Sequence, residues 1–234
     1  MKILHVTKKY LDVMGGDTMV VSNLIREQKQ KGHETFILTS NCEEIKNIKS
    51  LYKFGSKINT EELDRINFKR IRSLIDLYSK TEELIKKIRP DVVHTHSSEM
   101  GYIVSKVCKK YKAPVINTCH GISFNDKQYP LIKRKAELFF LKNGNFKRII
   151  TVDPNSLDAF KKQGFENVVY LPNGVSLGDF KKDKMQTKNN KKIRILFVGR
   201  LEKQKGIDYL IQSAKILSKN YSNFEINVIG SGSE

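Results

Sequence analysis

Apolar positions along the chain follow two alternating rhythms. Short, nearly continuous apolar runs at 2–7, 35–39, 91–95, 114–118, 147–152, 167–171, 193–198 and 224–229 read as strands covered on both faces. Between them, apolar residues recur every three or four positions, the spacing of one helix face. Val20, Val21, Leu24 and Ile25 give such a face over 18–31, which Gly32 closes. Leu74, Leu77, Tyr78, Leu84, Ile85 and Ile88 give a second, which stops before Pro90. Further helices are expected over 99–112, 130–142, 155–163 and 205–219. Residues 41–72 are charged and show neither rhythm, and no element is predicted there.

Strand and helix in alternation predict an α/β fold, a doubly wound parallel sheet of Rossmann-like type. The polar, lysine-rich run 181–192 reads as a linker. The predicted organisation is therefore a domain over 1–180, a linker over 181–192, and the first βαβ portion of a second Rossmann-like domain over 193–234. That portion has too little apolar surface to stand alone. It either docks on the first domain or belongs to a longer protein, and the second reading is favoured.

Charge changes the picture more than composition does. The chain has 234 residues, 43 Lys and Arg against 25 Asp and Glu, and a formal net charge of +18. Such a chain is drawn to polyanions. The cations are scattered and mostly lysine, without an arginine-rich arm or aromatic RNA-binding box, so no nucleic-acid partner is expected. No apolar run reaches the ~20 residues of a membrane span. The opening MKILHVTKK is too short for a signal peptide, so a cytoplasmic location is expected. Cys42, Cys108 and Cys119 are widely spaced and odd in number, which suits reduced thiols.

The chemistry-bearing residues fall after strands, where ligands of such sheets bind: Gly15 and Gly16, His94 and His96, His120 and Gly121, Asn173 and Gly174. A further group lies in 193–206. There a strand breaks at Gly199 into a loop carrying Arg200 and Lys205 before a helix begins. Cations beside a helix N-terminus suit phosphates. An ordinary turn with solvated basic residues explains the motif alone as well. His94 and His96 are expected to point to opposite faces of their strand, which would make them a poor pair of metal ligands. One would pack in the sheet and His96 would line a cleft. No metal site is expected.

Five motifs occur in one order: MGGDTMVVSNLIREQKQKGHETFILT (14–39), RPDVVHTH (89–96), NTCHGISF (117–124), YLPNGV (170–175) and VGRLEKQKG (198–206). In this the chain resembles family-4 glycosyltransferases of the GT-B fold. The resemblance implies a first domain that mainly binds acceptor and a second that binds a nucleotide-sugar donor. It also implies transfer with retention of anomeric configuration, without metal and without any cofactor besides the donor substrate. By position, Gly15 and Gly16 match the glycine loop that approaches the donor diphosphate. His120 matches the histidine beside the transferred sugar, the catalytic candidate. Arg200 and Lys205 match the diphosphate-binding pair. Gly121, Asn173 and Gly174 match cleft-lining and crossover positions, and for Asn173 and Gly174 a structural turn is the better reading. Gly230-Ser231-Gly232 resembles the glycine turn near the nucleotide.

The family's acidic motif of two glutamates spaced eight apart does not occur before Glu234, so weak or no transfer by this chain alone is expected. The resemblance further implies a lipid-linked or saccharide acceptor. Lys133, Arg134 and Lys135 beside Leu131, Ile132, Leu138 and Phe139 suit peripheral association with an anionic membrane. A helix packed on the sheet with a solvated face suits them equally. A nicotinamide oxidoreductase is disfavoured because residues 9–16 do not form GxGxxG. A sugar-phosphate epimerase or phosphorylase of the same fold, and a non-catalytic scaffold or partner-binding subunit, are the remaining alternatives.

Overall fold

The computed structural model describes residues 1–10, 16–40, 50–55, 68–175 and 192–234. The chain divides into two compact units, Met1–Leu177 and Gly178–Glu234. Residues 181–191 of the predicted linker over 181–192, and the glycine at 15, lie outside the described residues.

The first unit is a seven-stranded sheet in the order β3-β2-β1-β4-β5-β6-β7. Its strands are β1 (Lys2–Thr7), β2 (Glu34–Thr39), β3 (Leu51–Lys53), β4 (Val92–Thr95), β5 (Val115–Cys119), β6 (Arg148–Thr151) and β7 (Val168–Tyr170). Every pairing is parallel. The order reverses between β1 and β4, which makes that edge the switch point of a doubly wound sheet. The helices are α1 (Gly16–Gln30), α2 (Phe68–Ile88), α3 (Ser98–Lys110), α4 (Leu131–Asn143) and α5 (Pro154–Lys162).

The two sheet faces differ. Alternation along each strand sends Leu4, Val6, Leu38, Val93, Val115 and Ile149 to one side, where they meet Leu77, Leu84, Val104, Leu141 and Phe160 from α2, α3, α4 and α5. The other side meets α1 through a smaller cluster of Tyr10, Val21, Ile25 and Ile37. Its remaining central positions are His5, His94 and Thr118, all buried. Local chemistry sets the ends. Gly32 and Gly164 close α1 and α5 at φ 79° and 81°. Asp153 caps α5, its carboxylate accepting from Ser156 N at 2.8 Å, with Pro154 following in the first turn.

Two expectations are corrected in 41–72. The segment does hold an edge strand, β3, and α2 already begins at Phe68. Three residues are too few to show a period. The first turns of α2 carry Phe68, Ile71 and Ile75 on the exposed side, so their spacing does not mark a buried face.

The second unit pairs β8 (Ile193–Val198) with β9 (Phe224–Ile229) in parallel, Ile193 opposite Phe224 and Val198 opposite Ile229. A single helical turn at Lys203–Lys205 leads into α6 (Ile207–Leu217). Ile207 is the only hydrophobic residue of its described part that is buried, while Ile193, Leu196, Val198, Ile211 and Ile216 are exposed. The loops after the two strands press together: a Cβ on Gly230 would lie 1.8 Å from Gly199 O, and one on Gly232 2.0 Å from Leu201 O. Close backbone approach is thus one reason for glycine in 230–232.

Candidate active site

At the carboxyl edge of the sheet, four of the chain's five histidines gather on the α1 face. The parallel register puts His5 of β1 directly beside His94 of β4. His96 follows two residues later, and its ring centroid lies 4.2 Å from that of His94. The expectation of opposite faces is therefore corrected: side chains alternate with period two, so residues two apart share a side. His120 comes next, just past the end of β5.

Hydrogen bonds link these rings in a line. His120 Nε2 lies 3.2 Å from His96 Nδ1, His96 Nε2 3.2 Å from His5 Nδ1, and His5 Nε2 2.8 Å from Gln28 Oε1 on α1. His94 Nε2 instead lies 2.8 Å from Thr118 Oγ1. Burial lowers the proton affinity of all four. The His5 pKa falls to about 4, opposed only by the Gln28 bond. His94 and His96 fall well below the ordinary value through burial first, then through repulsion from neighbouring histidines, His5 and His120 acting on both and His94 on His96. His120 is lowered by burial, offset in part by the carboxylate of Asp17. The cluster is thus a row of neutral imidazoles. His120 Nδ1, at the end of the row, is enclosed and has no hydrogen-bond partner among the described residues.

Ring nitrogens of His5, His94 and His96 lie within 4.8 Å of one another, close enough to hold a metal ion. Both nitrogens of His5 and of His96 are already used in hydrogen bonds, which an ion would have to replace.

The remaining candidates surround this row or lie in the second unit. Gly16 opens α1, whose first turn carries Asp17, the carboxylate that acts on His120. A Cβ at Gly16 or Gly121 would meet nothing within 4 Å, so no described protein atom requires glycine there. Asn173 and Gly174 lie in an exposed, irregular stretch after β7. In the second unit, Arg200 donates to Glu202 Oε1 at 2.6 Å, and Lys205 is exposed at the end of the helical turn before α6.

Sequence reasoning missed three residues that shape this edge. His5 was hidden in the apolar run KILHVT, although a lone imidazole there is itself a signal. Gln28 looked like one polar residue among many on α1. Glu137 stands in the basic helix α4, yet its carboxylate accepts from Ser123 N, Ser123 Oγ and Phe124 N, fastening the loop that follows His120. Beside that loop opens a cavity of about 380 Å³, lined by apolar Leu74, Met100, Ile132 and Phe140 and by charged Arg70 and Glu137. Arg70 is paired with Glu99 at 2.5 Å.

Comparison with known proteins decides the family. The model described as Glycosyltransferase Family 4 matches residues 14–179, and the one described as Glycosyl transferases group 1 matches 179–234. The chain belongs to glycosyltransferase family 4. A family relative, an uncharacterized 41.2 kDa protein in the cps region of Klebsiella pneumoniae, is 29% identical over 98% of this chain and 63% of its own length. Another, the Escherichia coli UDP-Gal:alpha-D-GlcNAc-diphosphoundecaprenol alpha-1,3-galactosyltransferase, is 30% identical over 65% of this chain and 42% of its own. The chain thus spans less than two thirds of either relative. Among solved structures, sucrose-phosphate synthase from Thermosynechococcus elongatus superposes with a TM-score of 0.76 at 14% identity, covering 100% of this chain and 63% of that one. The Rossmann-like GT-B fold expected from the motifs is therefore the fold of this family member.

Proposed function

We propose that the protein is a retaining, metal-independent hexosyltransferase that moves a sugar from a nucleoside-diphosphate donor to a lipid-linked or saccharide acceptor. The observation that carries this reading is the unpartnered, enclosed His120 Nδ1 at the carboxyl edge of the sheet, beside the first turn of α1. A neutral imidazole there hydrogen-bonds a sugar hydroxyl while charge develops at the anomeric carbon. The open backbone at Gly16 and the N-terminus of α1 favour the anionic leaving group. Arg200 and Lys205 supply cations for the departing diphosphate. Glu202 holds the Arg200 guanidinium in place.

Three further points belong to the same reading. The cavity beside the His120 loop takes the acceptor, since its mixed apolar and charged lining suits an amphiphile. Exposed Ile132 lines that cavity, and two helices that line it expose Leu131 and Phe139 on α4 and Phe68, Ile71 and Ile75 on α2 among lysines and arginines. This supports docking on the cytoplasmic face of an anionic membrane. Membrane crossing is not required, as no helix among the described residues is long and apolar enough to span one. The Escherichia coli relative, named for a diphosphoundecaprenol acceptor, supports the lipid-linked class and a role in building cell-envelope glycans. Because α6 and the β8–β9 pair leave their apolar positions exposed, the 234-residue chain by itself binds donor weakly and turns over slowly.

The test uses the open reading frame that encodes this chain, expressed whole. UDP-, GDP- and ADP-sugars are screened by thermal shift, and transfer is followed with a diphosphoundecaprenol-linked sugar. One donor is expected to protect, the product to keep the donor's anomeric configuration, and Arg200→Ala with Lys205→Ala to abolish protection. Absence of protection by every nucleotide sugar would overturn the proposal in favour of a scaffold subunit. Vesicles with and without anionic lipid test the membrane arm, with Lys133→Gln and Lys135→Gln expected to release the protein. Arg134 is left intact because it donates to Phe124 O.

A further inference from the structure

A hydrogen-bonded row of neutral imidazoles has only two proton arrangements. Each internal ring must donate with one nitrogen and accept with the other. Fixing the proton at one end therefore fixes every ring along the row. Here one end is a side chain that is not a histidine. Gln28 meets His5 with its carbonyl, Oε1, at 2.8 Å from His5 Nε2. An amide oxygen only accepts, so His5 carries its proton on Nε2 and presents a bare Nδ1. His96 must then donate from Nε2 to that Nδ1. Its own Nδ1 is bare and accepts from His120 Nε2. His120 is left with a proton on Nε2 and a lone pair on Nδ1, the enclosed atom that has no partner among the described residues.

We infer that Gln28, acting through His5 and His96, is a positioning residue that fixes His120 in its Nε2–H tautomer, so that His120 Nδ1 accepts a hydrogen bond from a substrate hydroxyl. The role toward a sugar hydroxyl rests on the glycosyl-transfer reading, whereas the tautomer does not. The device works because three rings are kept neutral by burial. A protonated ring would donate from both nitrogens and break the row. Gln28 sits on α1, across the strand from the reacting edge, and reaches His120 only through two intervening rings. In this arrangement a helix residue to which the sequence motifs give no role decides whether the histidine offers a lone pair or an N–H. An N–H at that atom would repel the hydroxyl hydrogen and pair instead with an oxygen lone pair.

The test reads the tautomer directly. The 234-residue chain, with isotope-labelled histidine, is examined near pH 7.5 by two-bond nitrogen–proton correlation, which separates protonated from bare ring nitrogens. His120 is assigned by His120→Asn. The expected wild-type spectrum shows His5, His96 and His120 all protonated on Nε2. Gln28→Glu keeps an acceptor at this position and is expected to keep that pattern. Gln28→Lys offers only donors and is expected to reverse the row, moving the proton of His120 to Nδ1. Gln28→Leu removes the bias, and the dominant tautomer of His120 is expected to lose about fivefold of its excess. If Gln28→Leu does not fold, the Glu and Lys variants still give opposite outcomes.

A wild-type His120 protonated on Nδ1, or a His120 tautomer indifferent to all three substitutions, overturns the inference. So does stoichiometric zinc that shifts the ring nitrogens of His5, His94 and His96 together, since metal would consume the lone pairs that carry the row. If the tautomers behave as expected while the whole open reading frame transfers no sugar, the glycosyl-transfer reading fails and the row stands.

Discussion

The two faces of the seven-stranded sheet are built from the same strands and are held in different ways. On one, Leu4, Val6, Val93 and Val115 pack against four helices, and the buried polar pair there, Thr95 donating to Asn117 Oδ1 at 2.6 Å, carries no titratable group. On the other, the corresponding alternate positions carry His5, His94 and Thr118, and α1 supplies a small apolar cluster and Gln28. The first face gains stability from apolar area removed from water, which is insensitive to small changes in geometry. The second depends on each buried nitrogen meeting its partner and on the rings staying neutral. The face that carries the histidine row is thus the one whose interior depends on pH. The apolar face gives it a rigid floor.

Acid is expected to separate the two most strongly. In the unfolded chain a histidine protonates near 6.5, while His5 in the fold does so only at about 4 and His94 and His96 lower still. Between those values the unfolded state binds more protons, so stability must fall as pH drops below about 6.5. His5 alone contributes a loss on the order of 3 kcal/mol by pH 4, and the other rings add to it. Urea unfolding at a series of pH values checks this; a midpoint unchanged between pH 7 and 5 would show that the histidine face carries no such dependence.

Leu84→Ala, on the apolar face, is expected to cost about 2–5 kcal/mol, and by nearly the same amount at pH 7.5 and 5.5. A cost that changed with pH would mean that the two faces are coupled through the sheet. Thr118→Val keeps the shape but removes the partner of His94 Nε2. It should cost about 1–3 kcal/mol by the same unfolding measurement. The smallest effect is expected outside both faces. Lys133→Gln with Lys135→Gln should leave stability within about 0.5 kcal/mol while weakening binding to anionic vesicles. A large loss of stability instead would show these lysines to be structural.

Much of the fold was legible because the strands are apolar and the helices amphipathic. β1, β8 and β9 fall at 2–7, 193–198 and 224–229, as their runs predict. The edge strand Leu51–Lys53 was not legible, since three residues cannot show a period and its neighbours are charged. For the candidate site, the position of His120 after a strand could be read from the motif around it. Its connection to His96, His5 and Gln28 could not, because the partners lie 24, 91 and 23 residues apart along the successive bonds. The pairing of His94 with His96 was legible in principle from strand alternation, which puts residues two apart on one side. Glu137 gave no signal, as a single acidic residue in a basic helix reads as surface until the loop it ties down is seen.

By itself the sequence determined the alternation of strand and helix and which residues stand at the carboxyl ends of strands, for these follow from local periodicity and turn chemistry. Tertiary structure alone decided which of those residues meet. The parallel register set His5 beside His94, and the crossover that carries α1 over the sheet brought Gln28 to the end of the histidine row. The direction of a proton along that row is fixed by contacts between distant segments, and no local pattern encodes it.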